Sequence, residues 1–116
     1  MGSLTTHVLD LASGLPAQGL ALELFALDDT PRSLIKAVTD ADGRVDQPLL
    51  TPASIAVGRC RLVFQAGDYL QTRHGVSAAD LFLDEVPLEF RVFDATKKYH
   101  VPLLLSPYGY STYRGS

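Results

Sequence analysis

Period-two alternation is the feature of this chain that most restricts its fold. In Leu20-Ala21-Leu22-Glu23-Leu24-Phe25-Ala26, and again in Arg59-Cys60-Arg61-Leu62-Val63-Phe64-Gln65, one set of alternate residues is apolar while the other mixes polar and apolar types. That is the pattern of a strand with one buried face. Val86-Pro87-Leu88-Glu89-Phe90-Arg91-Val92-Phe93 repeats it, with Pro87 tolerable near a strand start. Residues 5–11, 33–39, 99–105 and 109–114 are further strand candidates. Between these runs lie Ser13-Gly14-Leu15-Pro16, Asp28-Asp29-Thr30-Pro31, Asp40-Ala41-Asp42-Gly43 and Ser106-Pro107-Tyr108-Gly109, which suit positive φ or preset a turn. One segment departs from the pattern: Ser77-Ala78-Ala79-Asp80-Leu81-Phe82-Leu83-Asp84 offers a Ser N-cap and an acidic residue three positions on, and predicts one short helix. Seven or eight strands at this spacing predict an all-β fold, two sheets packed face to face.

A chain of 116 residues makes one domain, expected to span 1–116. At this size about two-thirds of the surface exposed by the unfolded chain can be buried, enough for a core without disulfides or structural metal. Ten Lys and Arg against thirteen Asp and Glu give a net charge of -3. No positive excess is available to neutralise a phosphate backbone or an anionic membrane, so neither nucleic acid nor membrane is expected as a partner. No stretch approaches the roughly 20 apolar residues that span a bilayer, and no basic leader precedes an apolar run, so a cytoplasmic location is expected. The single cysteine, Cys60, can form neither an intrachain disulfide nor a thiolate metal site and reads as a small buried apolar residue.

Three histidines remain as carriers of chemistry. His74, in the polar stretch Gln71-Thr72-Arg73-His74-Gly75, reads as a solvated loop residue. Alternation puts Thr5, His7 and Leu9 on one strand face, opposite Thr6, Val8 and Asp10. It likewise puts His100 with Pro102 and Leu104, opposite Tyr99, Val101 and Leu103. Both histidines therefore project from rigid strands. Arg44 follows the Asp40–Gly43 turn, and Tyr113-Arg114-Gly115-Ser116 adds a cation, two hydroxyls and a carboxylate at the last position of the sequence. Imidazoles titrating near neutrality can take a proton from water and return one to a leaving nitrogen, while a planar guanidinium holds an anion through paired donors. This is a hydrolytic set that calls for no metal and no cofactor. No Gly-x-Ser-x-Gly elbow, Gly-rich phosphate loop, dinucleotide fingerprint or His-x-x-x-His spacing is present to support other chemistries.

The run from Tyr99 to Ser116, YHVPLLLSPYGYSTYRGS, resembles the C-terminal signature of the 5-hydroxyisourate hydrolases, the transthyretin-related enzymes of urate degradation. The resemblance continues, in the family's order, at residues 4–10, 14–17, 39–44 and 64–69, and covers essentially the whole chain. It implies a transthyretin-like (prealbumin-like) β-sandwich of two four-stranded sheets with one short helix. It also implies a homotetramer, a dimer of dimers, with active sites at the dimer-dimer interface. The implied reaction opens the six-membered ring of 5-hydroxyisourate to 2-oxo-4-hydroxy-4-carboxy-5-ureidoimidazoline, on the way to (S)-allantoin. By motif matching, His7, Arg44, His100 and Ser116 take the catalytic positions. His7, Arg44, Tyr113, Arg114 and Ser116 are the implied substrate contacts. Leu81-Phe82-Leu83 departs from the family, where an aromatic pair followed by proline is common. The alternative is a hormone carrier of the transthyretin type, which shares the sandwich but lacks the two histidines, the arginine and the Tyr-Arg-Gly-Ser ending.

Overall fold

The computed structural model describes residues 1–115 as ten short strands and one α-helix. Four strands, β4 (Ala21–Leu27), β5 (Pro31–Val38), β6 (Gly58–Gln65) and β7 (Glu85–Val92), form an antiparallel sheet in the order β5-β4-β6-β7. The facing sheet contains β2 (Val8–Asp10), β3 (Leu15–Pro16), β9 (Leu103–Ser106) and β10 (Gly109–Thr112) in the order β10-β9-β2-β3. Its central pair, β2 with β9, is parallel. A third, parallel pair joins β1 (Ser3–Thr5) to β8 (Lys98–His100). The alternating residues do what their pattern predicts. Leu22, Leu24, Leu62, Phe64 and Leu88 from one sheet are buried, as are Leu4, Val8, Tyr99, Leu103 and Leu105 from the other layer. Cys60 is buried and unpaired, as expected.

Two long strand candidates are each broken in the same place. Residues 5–11 divide into the end of β1 and then β2, and residues 99–105 into β8 and then β9. Pro102 lies in the second gap and has no N–H to give to a ladder. The hydroxyl of Thr6 in the first gap turns inward and donates to the Val101 carbonyl at 2.7 Å. Hydrogen bonds from Val101 N–H to the Thr5 carbonyl and from Leu103 N–H to the His7 carbonyl, both 2.9 Å, carry the two segments across the break side by side.

The helix is not where the Ser77 motif placed it. α1 runs Ala66–His74, and residues 78–80 make only a single 3₁₀ turn. Ser77 Oγ donates to the Asp80 carboxylate at 2.9 Å instead of capping a backbone N–H, and Leu81 and Leu83 alternate with exposed Phe82 toward β7. Eight residues without a buried face do not sustain a helix. Residues 66–74 have such a face in Ala66, Gly67, Tyr69 and Leu70. Asp68 in the first turn and Arg73 and His74 in the last oppose the helix dipole favourably, and Gly75, in the left-handed region, terminates it. Among the described residues no helix is long and apolar enough to cross a membrane.

Candidate active site

The break in β1/β2 and β8/β9 is where the histidines emerge. Thr5, His7 and Leu9 are half-buried while Thr6, Val8 and Asp10 are buried, and His100 and Leu104 are half-buried opposite buried Tyr99, Val101 and Leu103; alternation fails only at Pro102, which was expected on the outer face and is buried in the break. Both imidazoles thus leave the outer face of one layer, pointing away from the core.

Arg44 is delivered to His7 by the turn that precedes it. The Asp40 carboxylate accepts hydrogen bonds from the N–H groups of Asp42 at 2.9 Å and Arg44 at 3.1 Å, and Asp40 N–H donates to the Arg44 carbonyl at 2.7 Å. Gly43 has φ +73°, a conformation that side chains disfavour, and a Cβ there would collide with the Val8 carbonyl oxygen. This close approach lets Val8 N–H donate to the Gly43 carbonyl at 2.8 Å and pairs His7 with Arg44 in an antiparallel bridge.

His100 is held on two sides. It is the register partner of Thr5 in the parallel β1–β8 pair, and its Nδ1 lies 2.9 Å from Thr5 Oγ1. Gly115 forms an antiparallel bridge with it, donating its N–H to the His100 carbonyl at 2.7 Å. A Cβ on Gly115 would stand 2.9 Å from His100 Cδ2 and 3.1 Å from its Cβ, so the terminal segment lies directly on the imidazole. Burial, then the positive charge of Arg44, then His7, push the His100 pKa below its ordinary value of 6.5. Its neutral form is therefore the prevailing one at neutral pH.

His7, Arg44 and His100 are thus brought together. Arg114 turns elsewhere: its guanidinium stacks over Tyr99 at 4.9 Å and Phe93 at 5.6 Å and donates to the Lys98 carbonyl at 2.9 Å. Tyr99 occupies the opposite face of β8 from His100, so Arg114 fastens the tail from behind. Tyr113 is exposed and lines, with Leu88, Phe90 and Val101, a groove between the edge strands β7 and β10. Ser116 lies outside the described residues. Thr5 and Gly115 escaped the sequence reading. The β1–β8 register that makes Thr5 a neighbour of His100 joins segments 95 positions apart, and alternation within one strand cannot reveal it.

His74 is no loop residue. It ends α1, and its Nε2 lies 2.6 Å from an Asp10 oxygen that also accepts the Tyr69 hydroxyl at 2.7 Å. Asp10 is 1% exposed. Burial alone would raise its pKa, but hydrogen bonds from Tyr69, His74 and the Ser13 backbone outweigh this and hold it below the usual carboxylate range. This cluster fastens the helix to β2, on the core side of the layer. Among the described residues no three His, Cys, Asp or Glu side chains are placed to hold a metal ion.

Two facing sheets, one built on a parallel central pair and carrying a histidine-arginine-histidine cluster on its outer surface, define a transthyretin-type sandwich with a polar site. The chain belongs to the HIUase/Transthyretin family, whose model it matches over residues 4–115. It is 57% identical to 5-hydroxyisourate hydrolase 2 of Rhizobium meliloti (strain 1021), over 99% of this chain and 97% of that protein. Among solved structures it is similar to (S)-allantoin synthase, with TM-score 0.92 and 37% identity over 99% of this chain; the chain spans only 44% of that longer protein. Sea bream transthyretin in complex with thyroxine is also similar, with TM-score 0.86 and 28% identity over 97% of this chain and 94% of the other.

Proposed function

We propose that residues 1–116 act as one domain that hydrolyses 5-hydroxyisourate, opening its six-membered ring to 2-oxo-4-hydroxy-4-carboxy-5-ureidoimidazoline. One observation carries this reading: His7, Arg44 and His100 converge on one outer sheet face, in a chain 57% identical to a protein named for that reaction. Neutral His100 takes a proton from water as the water oxygen bonds to the ring carbonyl carbon. Arg44 holds the anionic ligand and stabilises the oxyanion as that carbon becomes tetrahedral. Collapse breaks the carbon–nitrogen bond, and the proton that His100 took from water reaches the leaving ring nitrogen by way of His7, which restores both imidazoles. One water is consumed, and an N–H and a carboxylic acid are formed, the acid releasing its proton to solvent, with no change of oxidation state and no need of a metal or cofactor. By its match to the family motif, Ser116 joins His7, Arg44 and His100 as a proposed catalytic residue. Arg114, occupied by Tyr99 and the Lys98 carbonyl, contributes by holding the tail, in which Tyr113 is a further proposed substrate contact.

The reading includes a homotetramer whose dimers meet over the histidine face, and a cytoplasmic location. Support for the assembly comes from half-buried Leu9 and Leu104 and exposed Pro16, which are register partners beside the histidines on that same outer face. The test generates 5-hydroxyisourate from urate with urate oxidase and follows the decay of its near-ultraviolet absorbance. Faster decay with this protein is the expected result. Folded protein that leaves the decay unchanged and binds thyroxine would make the chain a carrier.

A further inference from the structure

The reaction proposed above needs a specific nitrogen of His100 to carry a lone pair, and the structure supplies the group that selects it. We infer that Thr5 is a positioning residue that sets the tautomer of His100, accepting a hydrogen bond from Nδ1–H so that Nε2 faces the substrate unprotonated. This rests on the hydrolase reading for its catalytic meaning, although the hydrogen bond itself does not.

Thr5 and His100 are directly opposed in the parallel β1–β8 pair, so their side chains leave neighbouring rigid strands on the same face. The 2.9 Å separation between Oγ1 and Nδ1 is a full hydrogen bond, in which either partner can be the donor. The surrounding charges decide the direction. Arg44 and His7 both bear on the imidazole. Nδ1 is engaged by the neutral Thr5 hydroxyl, which leaves Nε2 as the nitrogen to meet the guanidinium field and the substrate. A lone pair directed toward a guanidinium, which has donors and no acceptor, is favoured over an N–H directed toward it. The proton therefore resides on Nδ1, and the threonine oxygen accepts it. Gly115 packs the ring from the other side: a Cβ there would stand 2.9 Å from Cδ2, so the imidazole is covered on that side as well as bonded at Nδ1.

The experiment compares Thr5→Val, which keeps the shape and removes the hydroxyl, with Thr5→Ser, which keeps the hydroxyl. Histidine-ring ¹⁵N spectra of the full chain report the tautomer of His100 directly, and the 5-hydroxyisourate assay reports kcat and KM. Expected are Nδ1–H in the unaltered protein and in Thr5→Ser, and a shift toward Nε2–H in Thr5→Val. That variant should lose at least about tenfold in kcat with KM little changed, since a histidine in the wrong tautomer loses its catalytic role. Thr5→Ser should restore most of the rate. A resting Nε2–H tautomer overturns the inference, as does a Thr5→Val protein whose tautomer or kcat is unchanged. If the unaltered protein does not hydrolyse 5-hydroxyisourate, the hydrolase reading fails by itself, and the spectra still decide whether Thr5 sets the tautomer.

Discussion

His100 keeps its lone pair at neutral pH because its strand places it half out of water and within the field of Arg44 and His7. The sign for activity follows. The working form is neutral, and a depressed pKa means that kcat/KM is lost only as pH falls below 6.5. Replacing Arg44 by Gln removes a positive charge that resists protonation, so the acid limb should move to higher pH as the overall rate falls. A limb at 6.5 or above in the unaltered protein, or one that Arg44→Gln leaves in place, would contradict this. His7→Asn and His100→Asn should each cost ~100-fold or more in kcat/KM, the scale of a positioned acid-base group. Circular dichroism should remain unchanged, since both side chains point away from the core. At this scale much was legible in the sequence. Alternation told which way both histidines point, and the turn residues told that Arg44 follows a tight bend. The packing of Arg114 was not legible, because a charged residue next to a glycine says nothing about the aromatic ring, fifteen positions earlier, on which it lies.

Among the elements, α1 and its anchor differ most from what the sequence suggested. The Ser-x-x-Asp spacing at residue 77 is a local signal, whereas a nine-residue helix depends on burial of one face, and only residues 66–74 have a surface to bury it against. A Gly after an Arg-His pair was the available stop signal. The anchor is Asp10, which receives Tyr69 and His74. Its folded pKa lies below the unfolded value near 3.9, so its stabilisation is complete above about pH 4 and disappears as pH falls through the folded value. Asp10→Asn should cost about 3 kcal/mol at pH 7, the scale of losing hydrogen bonds to a buried charged group, and should flatten the acid dependence of the unfolding midpoint. Urea titrations at pH 7 and across the acid range check both, and a variant as stable as the parent would show that the helix is held by its apolar face alone. The sheets were more legible than their edges. The buried faces of β4, β6 and β7 follow from period two, but the breaks at Thr6 and Pro102 required knowledge of which segments run side by side.

For the whole molecule, the testable quantity is mass. Light scattering should find four chains of 12.6 kDa, about 50 kDa, because closed two-fold assemblies are the common solution for soluble homo-oligomers and the histidine face is partly apolar. A fully active monomer would remove the interface from the mechanism. The pairing of β1 with β8 has a further consequence, for the order in which the protein comes into being. Thr5 and His7 are made long before their partners at 100, 101 and 103. The antiparallel sheet β5-β4-β6-β7 can assemble on the ribosome while synthesis continues, and β2 can already meet β3 and Arg44, but the edges of β1 and β2 that take β8 and β9 stay open until residue 105 has emerged. Closing so long a loop delays folding. A nascent chain stalled short of that point would lack His100 and the facing sheet's central pair, so any partner that shields new chains should find its target on the open edge of residues 3–10.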